Sequence, residues 1–314
     1  MRITIHARLA ALVATAAAST MLAQTQNLVV SAGFNDAYYA LPAVASGEIL
    51  TLVTTALNVP DAVATQIPLP NSLSGVSVLA RVIGAADTTG YPTSLPILRV
   101  YTQNALQMPD GVVCPTNPNS FLCSQTQITV EIPTEGVCVQ SPANGHFCAV
   151  KANGVTGPDL PLGVEVVAGH FLSSCDLTFG PSVGYCGPLV THADGTLVNK
   201  SSPARVGEII TLYAVGLGFP GPGYAPPTGY APSKPVQLPA DYGTVVFDYL
   251  VAPKTTVQAD WVGLIPGYVG LNQINVKVPP MPAQPYPCSA GWNTQLSPLQ
   301  FTATAGTLKI CVQP

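Results

Sequence analysis

Short apolar runs recur along this chain, and in the clearest of them apolar and polar residues alternate with a period of two. The segment "QINVKV" is the clearest case, because Ile274, Val276 and Val278 face one way while Asn275 and Lys277 face the other. Similar β-branched runs, bounded by Gly, Pro, Asn or Asp, recur as "EILTLVTTAL", "VSVLARVI", "ILRVYTQ", "EIITLYAVGL" and "TVVFDYLV". After residue 24 no segment has the 3.6-residue period of a helix, and 32 prolines and 28 glycines oppose long helices. The pattern predicts an all-β protein.

One stretch of sequence occurs twice. The segment "GEILTL" begins at Gly47 and "GEIITL" at Gly207, and an offset of 160 residues aligns 29–52 with 189–212 without a gap. Further on, "ITVEIP" matches "INVKVP" with an offset of 146, so the first copy has 14 additional residues between these landmarks. We assign that insertion to the region near 110–125, which reads "DGVVCPTNPNSFLCSQ". A period this long indicates two domains rather than a solenoid.

The repeat and the strand pattern together predict two tandem immunoglobulin-like antiparallel β-sandwiches. The first is expected over residues 24–175 and the second over 176–314. The two copies should then superpose, with 128–133 lying in the first where 274–279 lies in the second.

The repeated Gly-Glu pair has a structural interpretation. Gly47 and Gly207 are expected to provide a tight turn into a strand, and Glu48 and Glu208 to accept backbone N–H bonds from that turn. We favour this role over catalysis because no acid or base partner stands at a fixed distance from either glutamate.

The N-terminus has the layout of a secretory signal peptide. Arg2 and Arg8 precede an apolar run over 9–18, and small residues follow. Cleavage is expected after Ala23, with a cut after Ala18 as the alternative. The run is shorter than the roughly 20 apolar residues of a transmembrane helix. We therefore expect a protein secreted to the extracellular space, with the periplasm or the cell surface as alternative locations.

Charge excludes one class of partner. Removing residues 1–23 takes away two arginines and changes the formal net charge from −4 to −6. Charged residues make up only 8% of the chain, against roughly 25% in an ordinary soluble domain. Binding to nucleic acid requires clustered Lys and Arg, so nucleic acid is not expected as a partner.

Cysteine usage agrees with export. The eight cysteines are Cys114, Cys123, Cys138, Cys148, Cys175, Cys186, Cys288 and Cys311. An even number in an exported chain favours disulfides, although eight cysteines allow 105 pairings. Sequential pairing is the economical hypothesis, because it closes loops of 9, 10, 11 and 23 residues. The short Cys spacings of a zinc site do not occur, so no metal is expected.

The second half resembles a known family. The segments "HADGTLVNKSSPARVGEIITLYAVGLG" and "WVGLIPGYVGLNQINVKVP" are similar to the uncharacterised C-terminal domain family of secreted Solibacter-type acidobacterial proteins, over about 189–280. The first half, with "LPNSLSGVSV" and "ITVEIP", resembles the related preceding module more weakly. The resemblance implies an exported immunoglobulin-like sandwich. It implies no catalytic residues, because the family has no assigned activity.

One motif is formally catalytic. Residues 180–184 read "GPSVG", the G-x-S-x-G pattern in which Ser182 would be a nucleophile at a strand-to-helix turn. No helix pattern follows, and the only downstream histidine is His192, ten residues on. A tight linker turn is favoured, and a serine hydrolase is a distant alternative. We assign no catalytic, cofactor-binding or metal-binding residues.

A proline-rich segment is the remaining candidate for ligand contact. Residues 218–243 read "GFPGPGYAPPTGYAPSKPVQLPADYG" and contain Tyr224, Tyr230 and Tyr242. Exposed tyrosines on a stiff loop would suit a sugar or a protein surface. The favoured alternative is that the rings pack back on the sandwich.

These features predict a secreted, non-enzymatic structural or adhesive interaction protein. The runner-up is an extracellular carbohydrate-binding module. The partner is expected to be an extracellular protein or polysaccharide of unknown identity, and no cofactor is expected.

Overall fold

The structure is a computed structural model. It describes residues 30–32, 43–82, 93–104, 124–134, 146–157, 159–164, 167–173, 187–219, 223–251, 253–288, 292–299 and 307–314. Within these ranges the chain forms strands, turns and a 3₁₀ turn at Ala240–Gly243, without an α-helix. The prediction of an all-β protein is confirmed. None of the described segments is a helix with the length and apolar character needed to cross a membrane.

The first half forms two sheets. Its strands are β1 (Val30–Ala32), β2 (Ala43–Val44), β3 (Ile49–Thr55), β4 (Ala62–Val63), β5 (Val76–Val82), β6 (Thr93–Leu95), β7 (Ile97–Asn104), β8 (Ser124–Glu131), β9 (His146–Ala152), β10 (Val155–Thr156) and β11 (Leu160–Val164). One sheet has the antiparallel order β1-β3-β8-β7-β4. The other has the order β2-β11-β9-β5-β6, with β10 paired to β9 and with β2 parallel to β11.

The second half repeats this arrangement. Its strands are β12 (His170–Phe171), β13 (Val190–Thr191), β14 (Ala204–Arg205), β15 (Ile209–Val215), β16 (Val236–Gln237), β17 (Val245–Asp248), β18 (Thr255–Val257), β19 (Trp261–Leu264), β20 (Asn272–Lys277), β21 (Thr294–Pro298), β22 (Leu308–Ile310) and β23 (Val312–Gln313). One sheet has the order β12-β15-β20-β19-β16, with β13 also paired to β15. The opposing strands have the order β18-β17-β21-β22, and β14 pairs in parallel with β23.

Each half has its own hydrophobic core. In the first, Leu52 and Ile128 from one sheet and Val78 and Val150 from the other belong to one buried cluster. In the second, Leu212 and Phe247 likewise come from opposing sheets. The burial pattern of β20 alternates between buried and partly exposed residues, as the sequence predicted for this segment. Burial of one face of each strand is therefore what holds the two sheets of each half together.

The central strand pairs of the two halves have the same register. Thr51 pairs with Thr129 between β3 and β8, and Thr211 pairs with Asn275 between β15 and β20. These residues are related by the offsets of 160 and 146. The prediction that 128–133 is equivalent to 274–279 is therefore confirmed for the register in which β8 and β20 pair with their neighbours. The immunoglobulin-like classification of two separate domains stays a prediction.

The ungapped alignment of 29–52 with 189–212 is wrong before the Gly-Glu turn. Val30 pairs with Thr54, whereas Val190 pairs with Leu212, a shift of two residues relative to the offset. In the second half two short strands share the edge of β15, and Phe171 of β12 pairs with Ala214. The chain thus joins the second sheet before residue 175, although the domain limits 24–175 and 176–314 themselves stay predictions.

A disulfide between Cys288 and Cys311 fastens the end of the chain. Their Cα atoms are 5.6 Å apart, and Cys311 lies between β22 and β23, where the last strand changes its pairing partner from β21 to β14. The buried Asn293 supports the same point, because its side chain bonds both the N–H and the C=O of Val312, at 2.9 and 2.8 Å.

Several other predicted features lie outside the described residues. They are the signal peptide, Ser182, most of the insertion near 110–125, and Cys114, Cys123, Cys138, Cys175 and Cys186. Cys148 is in β9.

We expect Cys311→Ser to destabilise the second half selectively. The disulfide closes a loop with a sequence separation of 23, and the chain-entropy model assigns such a loop about 3 kcal/mol. Calorimetry of the oxidised protein should show a lower melting temperature for the second half and an unchanged transition for the first. Cys288→Ser should have the same effect. Non-reducing peptide mapping that links Cys288 to another cysteine would contradict this expectation.

Candidate functional site

The Gly-Glu turn is built in the same way in both halves. Glu48 accepts the N–H of Ala45 at 2.6 Å, and Glu208 accepts the N–H of Arg205 at 2.8 Å. The glycine before each glutamate has a positive φ, which favours Gly over other residues. The expectation that both carboxylates bind backbone N–H groups of the turn is confirmed. The surroundings of the two turns, however, are different.

The turn of the first half is covered by the second half. A Cβ atom added to Gly270 would lie 2.7 Å from the carbonyl oxygen of Gly47 and 2.9 Å from the Ile49 side chain. A Cβ on Gly216 would lie 2.7 Å from the carbonyl oxygen of Ala168 and 3.0 Å from the Glu48 carboxyl carbon. These distances leave no room for a side chain larger than that of glycine. We call this interface the module junction.

A proline-rich loop completes the module junction with hydrogen bonds. In this loop, residues 223–235, the N–H of Gly229 donates to the Glu131 carboxylate at 2.5 Å, and its C=O accepts the N–H of Leu69 at 2.9 Å. Thr134 adds two bonds, donating its N–H to the Thr228 hydroxyl at 2.9 Å and its hydroxyl to the C=O of Pro226 at 2.8 Å. We call residues 223–235 the junction loop. The sequence made this segment a candidate for ligand contact, with packing of its tyrosines on the sandwich favoured, and did not predict contact with the first half.

The three candidate tyrosines divide into two groups. Tyr242 packs partly buried against the second core, as the favoured alternative predicted. Tyr224 and Tyr230 remain 38% and 44% exposed. Tyr268, which the sequence analysis missed, is 49% exposed on a hairpin turn whose Gly267 donates its N–H to the C=O of Pro232 in the junction loop. Ligand contact by Tyr224, Tyr230 or Tyr242 stays a prediction.

Glu48 is an unusual group in the module junction. It is fully buried, and its Oε1 atom has no hydrogen-bond partner among the described residues. Burial raises the pKa of Glu48 well above its ordinary value of 4.5, and the bond from the Ala45 N–H only partly opposes this. The carboxyl is therefore held in its neutral form at pH values where an exposed glutamate is charged.

The equivalent Glu208 lies in an open groove at the other end of the second half. The groove has a volume of about 570 Å³ and is lined by His192, Asp194, Ser201, Ser202, Arg205 and Glu208 among others. We call it the distal groove. The side chains of His192 and Glu208 are 14% and 21% exposed, so both are accessible to solvent.

His192 connects the other polar groups of the distal groove. Its Nδ1 atom lies 2.5 Å from Glu208 Oε1, and its Nε2 atom lies 3.2 Å from both the hydroxyl and the carbonyl oxygen of Ser202. Burial by itself lowers the pKa of His192, but its hydrogen bonds to the Glu208 carboxylate and the Ser202 carbonyl oxygen, together with the charges of Glu208 and Asp194, outweigh this effect, so the pKa is raised above 6.5. This arrangement was not predicted, although all three residues lie within one segment of the family-like motif.

Local turn chemistry positions Ser202. Asn199 Oδ1 accepts the backbone N–H groups of Ser201 and Ser202 at 2.8 and 2.9 Å. Asp194 accepts the N–H and the hydroxyl of Thr196 at 2.9 and 2.7 Å. Such Asx turns form readily at Asn and Asp. They fold the segment so that Ser202 returns to His192.

No metal site accompanies these groups in the part of the chain that the structure describes. There, no three His, Cys, Asp or Glu side chains are grouped so that they could hold an ion.

Comparison with known proteins gives little further information. No protein-family model matches the chain. No curated protein matches it either. Among solved structures, the C-terminal domain of the Streptococcus agalactiae AgI/II polypeptide BspA aligns with 91% of this chain and 100% of its own, with 10% identity and a TM-score of 0.20. A TM-score this low carries no functional argument.

We expect Gly270→Ala to weaken the module junction, with Gly267→Ala as the matched control. Both glycines have a positive φ in the same hairpin turn, so both variants share a backbone penalty of about 1–2 kcal/mol. Only the Cβ at 270 meets the backbone of the first half, whereas no described atom lies within 4 Å of a Cβ at 267. Urea unfolding should show an additional loss of about 1–3 kcal/mol for Gly270→Ala. Equal losses in the two variants would contradict the junction packing.

We expect Glu48→Gln to remove part of the pH dependence of stability. Because the folded pKa of Glu48 is raised, the folded state binds more protons, and stability falls as pH rises from about 4.5 through the folded pKa. Relative to wild type, the variant should therefore gain stability between pH 4.5 and pH 8 in urea unfolding. A pH dependence of stability equal to that of the wild type would contradict the raised pKa of Glu48.

Proposed function

We propose that this protein is an exported, extracellular interaction protein whose two β-sandwich modules are fixed end to end. The observation that carries the proposal is the module junction. Modules of one chain commonly move relative to each other unless the interface between them is tight. Here glycine-limited packing at Gly216 and Gly270 and the bonds of the junction loop to Glu131 and Thr134 oppose such motion.

A fixed junction suits a structural or adhesive role. It holds the two ends of the protein at a constant separation and orientation, so a contact at one end is transmitted to the other. The low charge content leaves Ser, Thr, Asn and Gln as the main polar surface, which also favours contacts by hydrogen bonds over ionic contacts. We propose that this role does not depend on catalysis.

Two observations support export. The N-terminal segment has the charge and apolar pattern of a signal peptide, and the Cys288–Cys311 bond is a disulfide, a bond that persists in oxidising compartments. The resemblance of the second half to domains of secreted Solibacter-type proteins stays a prediction and would imply the same location. We propose that the partner is an extracellular protein or polysaccharide.

A carbohydrate-binding module is the second candidate. The bond between Gly267 and Pro232 brings the hairpin that carries Tyr268 to the junction loop, which carries the exposed Tyr224 and Tyr230. Tyrosine rings bury a large area at low entropic cost and are suited to stacking on sugars.

A binding experiment distinguishes the two candidates. Beads coated with the full-length protein should attach to cells of the source organism or to their extracellular polysaccharide. Under the main proposal, attachment survives the double variant Tyr224→Ala and Tyr230→Ala. Under the second, it falls at least tenfold, together with binding on a glycan array. Tyr286→Ala, which removes another exposed tyrosine outside the junction loop, is the matched control. Absence of attachment by the wild-type protein would refute both.

A further inference from the structure

We propose that Ser202, His192 and Glu208 form a serine–histidine–glutamate relay that makes the Ser202 hydroxyl a nucleophile toward small acyl esters in the distal groove. This activity is additional to the interaction role and does not depend on it. It also differs from the G-x-S-x-G hypothesis, which concerned Ser182.

The distances meet the requirement for a nucleophile and its base. The Ser202 hydroxyl lies 3.2 Å from His192 Nε2, within the range of about 2.6–3.2 Å in which a hydroxyl transfers its proton to a neighbouring base. On the other side of the ring, Glu208 lies 2.5 Å from Nδ1. A carboxylate in this position holds the proton on Nδ1 and leaves Nε2 as the basic nitrogen.

Among the described residues, only the Gly-Glu turn of the second half carries this relay. The equivalent Glu48 is buried in the module junction, and its Oε1 atom has no partner among the described residues. Glu208 makes the same turn bond through Oε2 and uses its Oε1 atom for His192. The glutamate of the Gly-Glu turn thus accepts a backbone N–H in both halves, and in the second half it also positions His192.

The protonation state of His192 sets the reactive pH range. Below its raised pKa, the imidazolium donates from Nε2 toward the carbonyl oxygen and the hydroxyl of Ser202, and the serine has no base. Above that pKa, the hydrogen bond to the Glu208 carboxylate keeps a proton on His192 Nδ1, so His192 loses its proton from Nε2. Glu208 and Asp194 both raise the pKa through their charge, and Arg205 lines the same groove.

The chemical step balances without another reactant. The Ser202 oxygen attacks the ester carbonyl carbon, and its proton passes to His192 Nε2. The bond to the leaving alcohol breaks, and that alcohol takes the proton, leaving an acylated serine. Water then attacks the acyl group with His192 again as base, which releases the acid and restores the hydroxyl. Arg205 is the cation in the groove that can stabilise the oxyanion.

The groove can admit a small ester. Its volume of about 570 Å³ lies within the roughly 300–1,000 Å³ of small-molecule sites. Ser202 is partly exposed and lines the groove.

Covalent labelling of the full-length protein tests the proposal. An alkyl fluorophosphonate should add to Ser202, as located by peptide mass mapping, and the rate should rise with pH through the pKa of His192. His192→Ala should lower the rate at least 100-fold. Glu208→Gln, which keeps an acceptor for the Arg205 N–H, should lower it about tenfold and change the pH profile. Ser77→Ala, which removes a hydroxyl on β5 of the first half, outside the groove, should leave it unchanged.

Three outcomes would overturn the proposal. They are an absence of labelling at Ser202 in the wild-type protein, an equal rate in His192→Ala, and a label on Ser201 instead. Because His192→Ala removes a structural bond as well, ¹⁵N NMR of the wild-type protein provides a measurement without substitution. Above the pKa, the His192 signal should be that of the Nδ1–H tautomer, and an Nε2–H tautomer would equally refute the relay.

Discussion

The bond from a glutamate carboxylate to the N–H three residues before it is the interaction on which both halves depend. It lies where the chain leaves β2 for β3 in the first half and β14 for β15 in the second. At each of these points the chain crosses from one sheet to the opposing sheet. A crossing of this kind leaves a backbone N–H without a strand partner, and at the buried Ala45 an unpaired N–H would be costly. In both halves the carboxylate accepts that N–H.

The two copies then use the second oxygen of the same carboxylate differently. In the first half it faces the module junction, where burial keeps Glu48 neutral. In the second half a Cβ on Gly207 would have no described atom within 4 Å, and Glu208 pairs with His192 in an open groove. The difference comes from what lies outside the turn, since the turn itself is the same. In the second half, therefore, the carboxylate that accepts the turn N–H also has an oxygen atom that contacts His192.

The junction loop shows a comparable change of role. Its prolines favour an extended conformation and leave few N–H groups for strand pairing, so a loop beside the sheet is the expected outcome. The few donors that it retains are used across the junction, with Gly229 bonded to Glu131. The exposed Tyr224 and Tyr230 lie in the same loop. The fixed geometry of the two modules and the candidate contact surface therefore share one segment of chain.

Local sequence determined the strands, the repeat and the chemistry of the turns. The period of two in "QINVKV", the Gly-Glu pair and the Asx turns at Asp194 and Asn199 all act over a few residues, so they can be read from the chain directly. The pairing of Gly229 with Glu131 joins residues 98 positions apart, and the open or buried state of the two glutamates depends on the docking of one half on the other. Only the tertiary structure decided this pairing and the burial of each glutamate. Both arise from packing between segments that are far apart in the chain, and the sequence of one such segment does not indicate which other segment it will contact.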